Sequence, residues 1–255
     1  MPFFKAGSKL VYYAHVPKCA GSSIEEYLHD RFGQIAFLDS AYLSQPEQLR
    51  WTKSSPQHVD IGSLKRLIPD GFFDEVFTIV RHPVARLVSA YHFQLEVEKL
   101  IAPGTQFAEW LRDLHAKRAE EPFAYDNHFR PMAEIAPESA TVFYLEHGLE
   151  ALVPWFDHVA GDTNGPRAIG VVNKRGDHGA ARGEQVSPSA SDLALIEELF
   201  AVDFDRFGYK VGVKEPAAAK PSLSPEAMAE NEAAQKRMNS PVFKIAKKIR
   251  RKLQI

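Results

Sequence analysis

Residues 12–28 read YYAHVPKCAGSSIEEYL: an apolar stretch, a short turn holding a lysine and a glycine, then an amphipathic run. The apolar part, KLVYYAHV over 9–16, is β-branched and aromatic and stops at Pro17, as a buried strand does. Beyond the turn, Ile24, Tyr27 and Leu28 share one helical face, Ser22 or Ser23 is suited to cap it, and acidic residues follow in the first turn. A strand feeding a helix through such a turn aims backbone N–H groups and the positive end of the helix dipole at one point, so anions bind there. The lysine precedes the glycine, and no G-x-x-x-x-G-K-[ST] can be written over the stretch.

The same pattern recurs. EVFTIVRH over 75–82 is a second apolar strand, and PVARLVSAYHFQLEVEKL sets Val84, Leu87, Val88, Tyr91 and Leu95 at helical spacing behind Pro83. ATVFYLE over 140–146 reads as a third strand, followed by the helix-like GLEALVPWF. SDLALIEELFAVDFDRFGY reads as one closing helix with an aromatic end. Strands alternating with helices predict an α/β, P-loop-like three-layer fold, its mostly parallel central sheet flanked by helices. Ligands of such sheets sit at the carboxyl ends of the strands, near topological switch points. Arg81 stands at such an end, with Ser89 two helical turns beyond. Two strand ends, each with a cation and a hydroxyl, suit a ligand with two separate anionic groups, such as a nucleotide phosphorylated at both ends of its ribose. Structural ion pairs for Arg81 and Arg86, and an exposed lysine on a tight turn for Lys18, are the plainer alternatives.

The 255 residues, 45% hydrophobic and 25% charged, suffice for one large core. Cys19 is the only cysteine, which excludes an internal disulfide. The start, MPFFKAGSKL, has no apolar core of the signal-peptide kind, so the expected location is cytoplasmic. The net charge of −2 suggests no specific nucleic-acid partner, but it is unevenly spread: residues 215–255 carry nine Lys and Arg against four Glu. We divide the chain into an α/β domain at 1–212, a Pro/Ala linker at 213–224 and a helical tail at 225–255. In the tail, Val242, Ile245, Ile249 and Leu253 share one face and six basic residues crowd the rest. Such a helix suits peripheral contact with the anionic inner face of a membrane through residues 241–255.

With these motifs in hand, the chain resembles the sulfotransferases, and among them the carbohydrate type that includes the uronosyl 2-O-sulfotransferases. HVPKCAGSS resembles that family's 5′-phosphosulfate loop, and VRHPVARLVSAY its 3′-phosphate motif R-[DN]-P-x-x-R-x-x-S-x-Y, with His82 at the usual acidic or amide position. YDNHFRPM resembles the segment around the catalytic histidine, and VFYLEHGLEALVPWF and DFDRFGY the later core.

The resemblance implies 3′-phosphoadenosine 5′-phosphosulfate as donor and in-line transfer of its sulfuryl group to a hydroxyl of a carbohydrate or glycolipid, with no metal. It implies that Pro17, Lys18, Cys19, Ala20, Gly21, Ser22 and Ser23 hold the 5′ end and that Arg81 and Ser89 hold the 3′-phosphate. Lys18 would offset charge on the leaving oxygen. His128 is the candidate base, with Asn127 and Arg130 toward the acceptor, and His15, Glu96 and Glu98 are rivals. Lys174 and Arg175, in the glycine-rich stretch 173–183, stand outside the firm site. Two other classes stay open: a P-loop-like kinase using ATP, and a nucleotide-binding module without chemistry.

Overall fold

The computed structural model describes residues 1–172, 186–243 and 245. Four strands form one sheet: β1 (Phe3–Ala6), β2 (Lys9–Ala14), β3 (Glu75–Val80) and β4 (Thr141–Tyr144), in the order β1-β2-β3-β4. β2 pairs with β3 and β3 with β4 in parallel, while β1 pairs antiparallel with β2. The three expected strands are therefore present and form the parallel part. The antiparallel edge strand β1 was not anticipated. It turns into β2 through Gly7, whose φ of +59° and contact with the Ala160 carbonyl leave no room for a side chain. The sheet contains no reversal of strand order among the described residues, so the expected switch point is not what positions the site.

Helices cover both faces. α1 (Gly21–Phe32) follows β2, α2 (Ile61–Leu67) precedes β3, α3 (Pro83–Glu96) follows β3, and α4 (Phe107–Glu120) leads toward β4. After β4 come α5 (Leu152–Ala160), α6 (Ala190–Leu199), α7 (Ala201–Phe207) and α8 (Pro225–Asn239). Val11 and Tyr13 of β2 point into the larger core with Ile24, Leu28, Phe77, Ile79, Leu87 and Phe156. Tyr12 and Ala14 point the other way, onto Val59 and Leu64. The period-two division of one strand between two cores explains why the sequence is apolar without alternation.

Two helix boundaries differ from expectation. α1 starts at Gly21 with Ala20 as its N-cap, no side chain caps it, and no acidic residue lies in its first turn. Lys18 and Ala20 both adopt φ of 66°, and this double left-handed turn starts the helix before the serines that were expected to cap it. The expected single closing helix is two, broken at Phe200, where φ is −119° and ψ 24°. Phe200 is buried among the core side chains, and its packing outweighs helix continuity. Beyond Gly212, α8 lies against the body: Glu230 pairs with Arg167 at 2.8 Å, and Gln235 Nε2 donates to the Ile169 carbonyl at 3.2 Å. Val242 and Ile245 are exposed. Ile249, Leu253 and the rest of the basic run 246–255 lie outside the described residues, as do Lys174 and Arg175.

Candidate active site

The carboxyl ends of β2 and β3 open into a cleft of about 1440 Å³, lined by Pro17, Lys18, Ala20, Gly21, Ser22 and Ser23 from the first loop and by Arg81 and Ser89 from the second. The structure thus brings together the residues expected of the two-anion site, apart from the Cys19 side chain. Cys19 is fully buried in the core, and burial pushes its thiol up to about 12, so only its backbone is on offer to a ligand. The Ser23 hydroxyl accepts from the Val172 amide at 3.0 Å, tying the loop to the segment that follows α5. Lys18 lies 3.6 Å over the Phe93 ring. Burial, and then the Arg81 guanidinium, bring its ammonium down to about 8. Among the described residues neither Lys18 nor Arg81 forms an ion pair, although Glu98 of the same cleft lies near enough to favour the Lys18 ammonium. Two cations at adjoining strand ends suit an anionic ligand.

The glycine of the loop has a packing reason. A Cβ on Gly21 would run into the His15 imidazole. His15 in turn stacks on Tyr13 and holds Glu25 through Nδ1 at 3.0 Å.

Among the described residues Arg86 forms no ion pair of the kind considered above. Fully buried, its guanidinium donates to the carbonyls of Pro17 (3.0 Å), Arg130 (2.9 Å) and His128 (3.1 Å). It therefore staples the anion loop to the strap that carries His128. From the other side, Asp203 of α7 accepts from the Met132 and Ala133 amides, and Arg206 donates to the carbonyls of Ala133, Ala136 and Pro137. His82, at the position of the motif's acidic or amide residue, caps α3. Its Nδ1 accepts from the Val84 amide at 3.3 Å, and its Nε2–H donates to the Lys210 carbonyl at 3.0 Å.

The strap delivers a histidine cluster. Tyr125, Asp126 and Asn127 have φ of 54°, 55° and 60°, three successive left-handed residues of a kind that costs free energy and gathers at functional sites. The turn drives Asp126 onto His58, Oδ2 accepting from Nδ1 at 2.7 Å, while Ser55 donates to the same carboxylate through N (2.5 Å) and Oγ (2.7 Å). Burial alone would raise the Asp126 carboxyl, but His58, His128 and the Ser55 amide overturn that and hold it at about 2. His58 stands edge-on to His15 and to His128, with ring centroids 4.8 and 5.1 Å away, and all three line the cleft. Burial, then the neighbouring His58, hold His128 well below the ordinary histidine value. Its Nδ1 meets Gln94 Nε2 at 2.9 Å.

His58 was not singled out from the sequence; in SSPQHVD nothing but the imidazole marks it, and its partner is 68 positions away. The acceptor-side residues lie elsewhere than expected. Asn127 is fully buried, donating to the His58 carbonyl at 2.7 Å and accepting from Arg130 Nε at 2.9 Å. Arg130 pairs with Glu134 and lines a separate small recess, so neither reaches the cleft. Glu96 and Glu98 do line it, Glu96 within 3.3 Å of His92. His58, Asp126 and His128 also offer ligand atoms within 4.8 Å of one another, a set able to hold a metal ion.

A family model described as the Sulfotransferase family matches residues 1–210, the sheet and every residue of this cleft. Searches of curated proteins and of solved structures returned no match.

Proposed function

The chain belongs to the sulfotransferase family, and from that premise we propose that it moves the sulfuryl group of 3′-phosphoadenosine 5′-phosphosulfate to a hydroxyl of a carbohydrate or glycolipid acceptor. The observation that carries the proposal is the paired arrangement in one cleft: Lys18 and Arg81 at adjoining strand ends, neither in an ion pair with a described residue, together with a carboxylate-held imidazole, His58. Backbone amides of the loop and Lys18 suit the 5′ phosphosulfate, and Arg81 with Ser89 the 3′-phosphate. Lys18 then stands where negative charge grows on the phosphate oxygen as its bond to sulfur breaks.

The acceptor hydroxyl needs a base, and His58 is better equipped for this than the expected His128. With Nδ1–H given to Asp126, the His58 lone pair is on Nε2, and the carboxylate stabilises the imidazolium that forms. His128 instead accepts at Nδ1 from Gln94, and burial, then the neighbouring His58, oppose its protonation by more than Asp126 favours it. In the reaction the acceptor oxygen bonds to sulfur, the sulfur–phosphate oxygen bond breaks, and the acceptor proton passes to His58. Metaphosphate-like chemistry of the kinase type is less well supported, since the loop offers its lysine ahead of the glycine and shows no G-K-[ST]. Incubation with the ³⁵S-labelled donor and a panel of carbohydrates and glycolipids tests the proposal: label transferred by the wild type and lost in His58→Ala is expected. Transfer of γ-phosphate from ATP to the same panel, without sulfuryl transfer, would overturn it. Cytoplasmic location and membrane contact through 241–255 remain part of the same proposal, and the described helices include none long and apolar enough to cross a membrane.

A further inference from the structure

We infer that His58, Asp126 and His128 form a binding site for a divalent transition-metal ion of the zinc class, and that occupancy of this site switches off the base. Two imidazoles and one carboxylate match the donor set of such ions, and their ligand atoms, within 4.8 Å of one another, need only small side-chain shifts to reach the spacing of roughly 3.3 Å around a tetrahedral ion. The set faces the cleft, so water or an acceptor hydroxyl completes the coordination. It is also supported from behind. Ser55 holds the Asp126 carboxylate by two hydrogen bonds, Asn127 holds the His58 carbonyl, and Gln94 holds the His128 ring. Outer partners of this kind fix ligand orientation at metal sites. Gln94 is itself buried, and its Oε1 has no partner among the described residues. Rotation of its amide would let it accept from the ring N–H or donate to the ring, and so follow whichever His128 tautomer the ion selects.

The ion takes the place of the proton that His58 Nδ1 shares with Asp126 Oδ2. The two atoms are 2.7 Å apart and must open to roughly 3.3 Å, the spacing of two ligands around a tetrahedral zinc. The displaced proton moves to His58 Nε2, which changes that atom from acceptor to donor and leaves no lone pair for an acceptor hydroxyl.

Only the consequence for the base rests on the function proposed above; the site does not. Cobalt(II), whose visible absorption reports low-coordinate nitrogen and oxygen sites, is the probe. Titration of the full chain should give a saturable band at one equivalent, removed by zinc, and at least tenfold weaker in both His128→Asn and Asp126→Asn. Parallel titration with adenosine 3′,5′-bisphosphate checks that each variant retains a folded cleft. No saturable band, or an equal band in variants that still bind the bisphosphate, overturns the metal site and leaves the sulfotransferase reading intact. A metal band in a protein that ignores the bisphosphate overturns that reading and leaves the site.

Discussion

The Asp126 carboxylate accepts from His58 Nδ1 at 2.7 Å, joining two segments 68 residues apart in the chain. Each sits on a short 3-10 turn, Pro56–His58 and Ala124–Asn127, too short to present a face that would bring them together. Ser55 fixes the carboxylate, and three left-handed residues, Tyr125 to Asn127, aim it.

His58→Ala should lower turnover by ~10²–10⁴, the usual contribution of a positioned base, while binding of adenosine 3′,5′-bisphosphate persists. Asp126→Asn presents N–H to the ring, moves the ring proton onto Nε2, and should also cost at least ~10². Turnover and calorimetry on the same preparations separate chemistry from binding. A His58→Ala enzyme with unchanged turnover would return the role to His128.

Asp126 also predicts an acid response. Its folded-state pKa of about 2 lies below the ordinary aspartate value, so its contribution is complete above about pH 4 and is lost as pH falls toward 2. The size is about 2 kcal/mol. Urea unfolding at pH 5 and pH 2.5 should show this loss in the wild type and a smaller one in Asp126→Asn.

Lys18 is a cation held at a cost. Burial brings its pKa to about 8, far below that of a lysine in the unfolded chain, so below pH 8 the folded state bears a desolvation penalty of up to about 3 kcal/mol. Between about 8 and the ordinary lysine value the unfolded chain binds more protons, so stability rises with pH there. Lys18→Met should therefore raise Tm at pH 7 while removing bisphosphate binding. A lower Tm would contradict the assignment of burial as the main cause.

Arg86 should behave differently. Arg86→Met leaves the carbonyls of Pro17, His128 and Arg130 without their buried donor, at about 1–3 kcal/mol each before relaxation. Both stability and bisphosphate affinity should fall, and Arg86→Lys should recover only part, because one ammonium does not span the three acceptors. Chemical denaturation alongside calorimetry reads both.

His82 joins a helix cap to a second bond. His82→Asn keeps the cap but gives up the bond to the Lys210 carbonyl and should lose about 1 kcal/mol, while His82→Ala gives up both and should lose about 2 kcal/mol. Thermal unfolding distinguishes the two.

Much of the site was legible because the anion loop and the Arg81 motif are local. Each is a strand, a turn and a helix within some twenty residues, and the residue types sit where the turn needs them. What was not legible arises from tertiary packing. His58 becomes a base candidate only through Asp126, and Asn127 looks like an acceptor ligand until its amide is seen spent on His58 and Arg130. The serines at 22 and 23 read as caps, but left-handed Lys18 and Ala20 start the helix first. β1 is four residues long, too short for a periodic signal, and exists because β2 offers it an edge.

The two-anion cleft is the central claim, and calorimetric titration of the wild type and Lys18→Ala with adenosine 3′,5′-bisphosphate, ADP and ATP tests it most directly. The 3′,5′-bisphosphate should bind most tightly, and Lys18→Ala should weaken it at least tenfold. Equal or tighter binding of ATP, indifferent to Lys18, would contradict it.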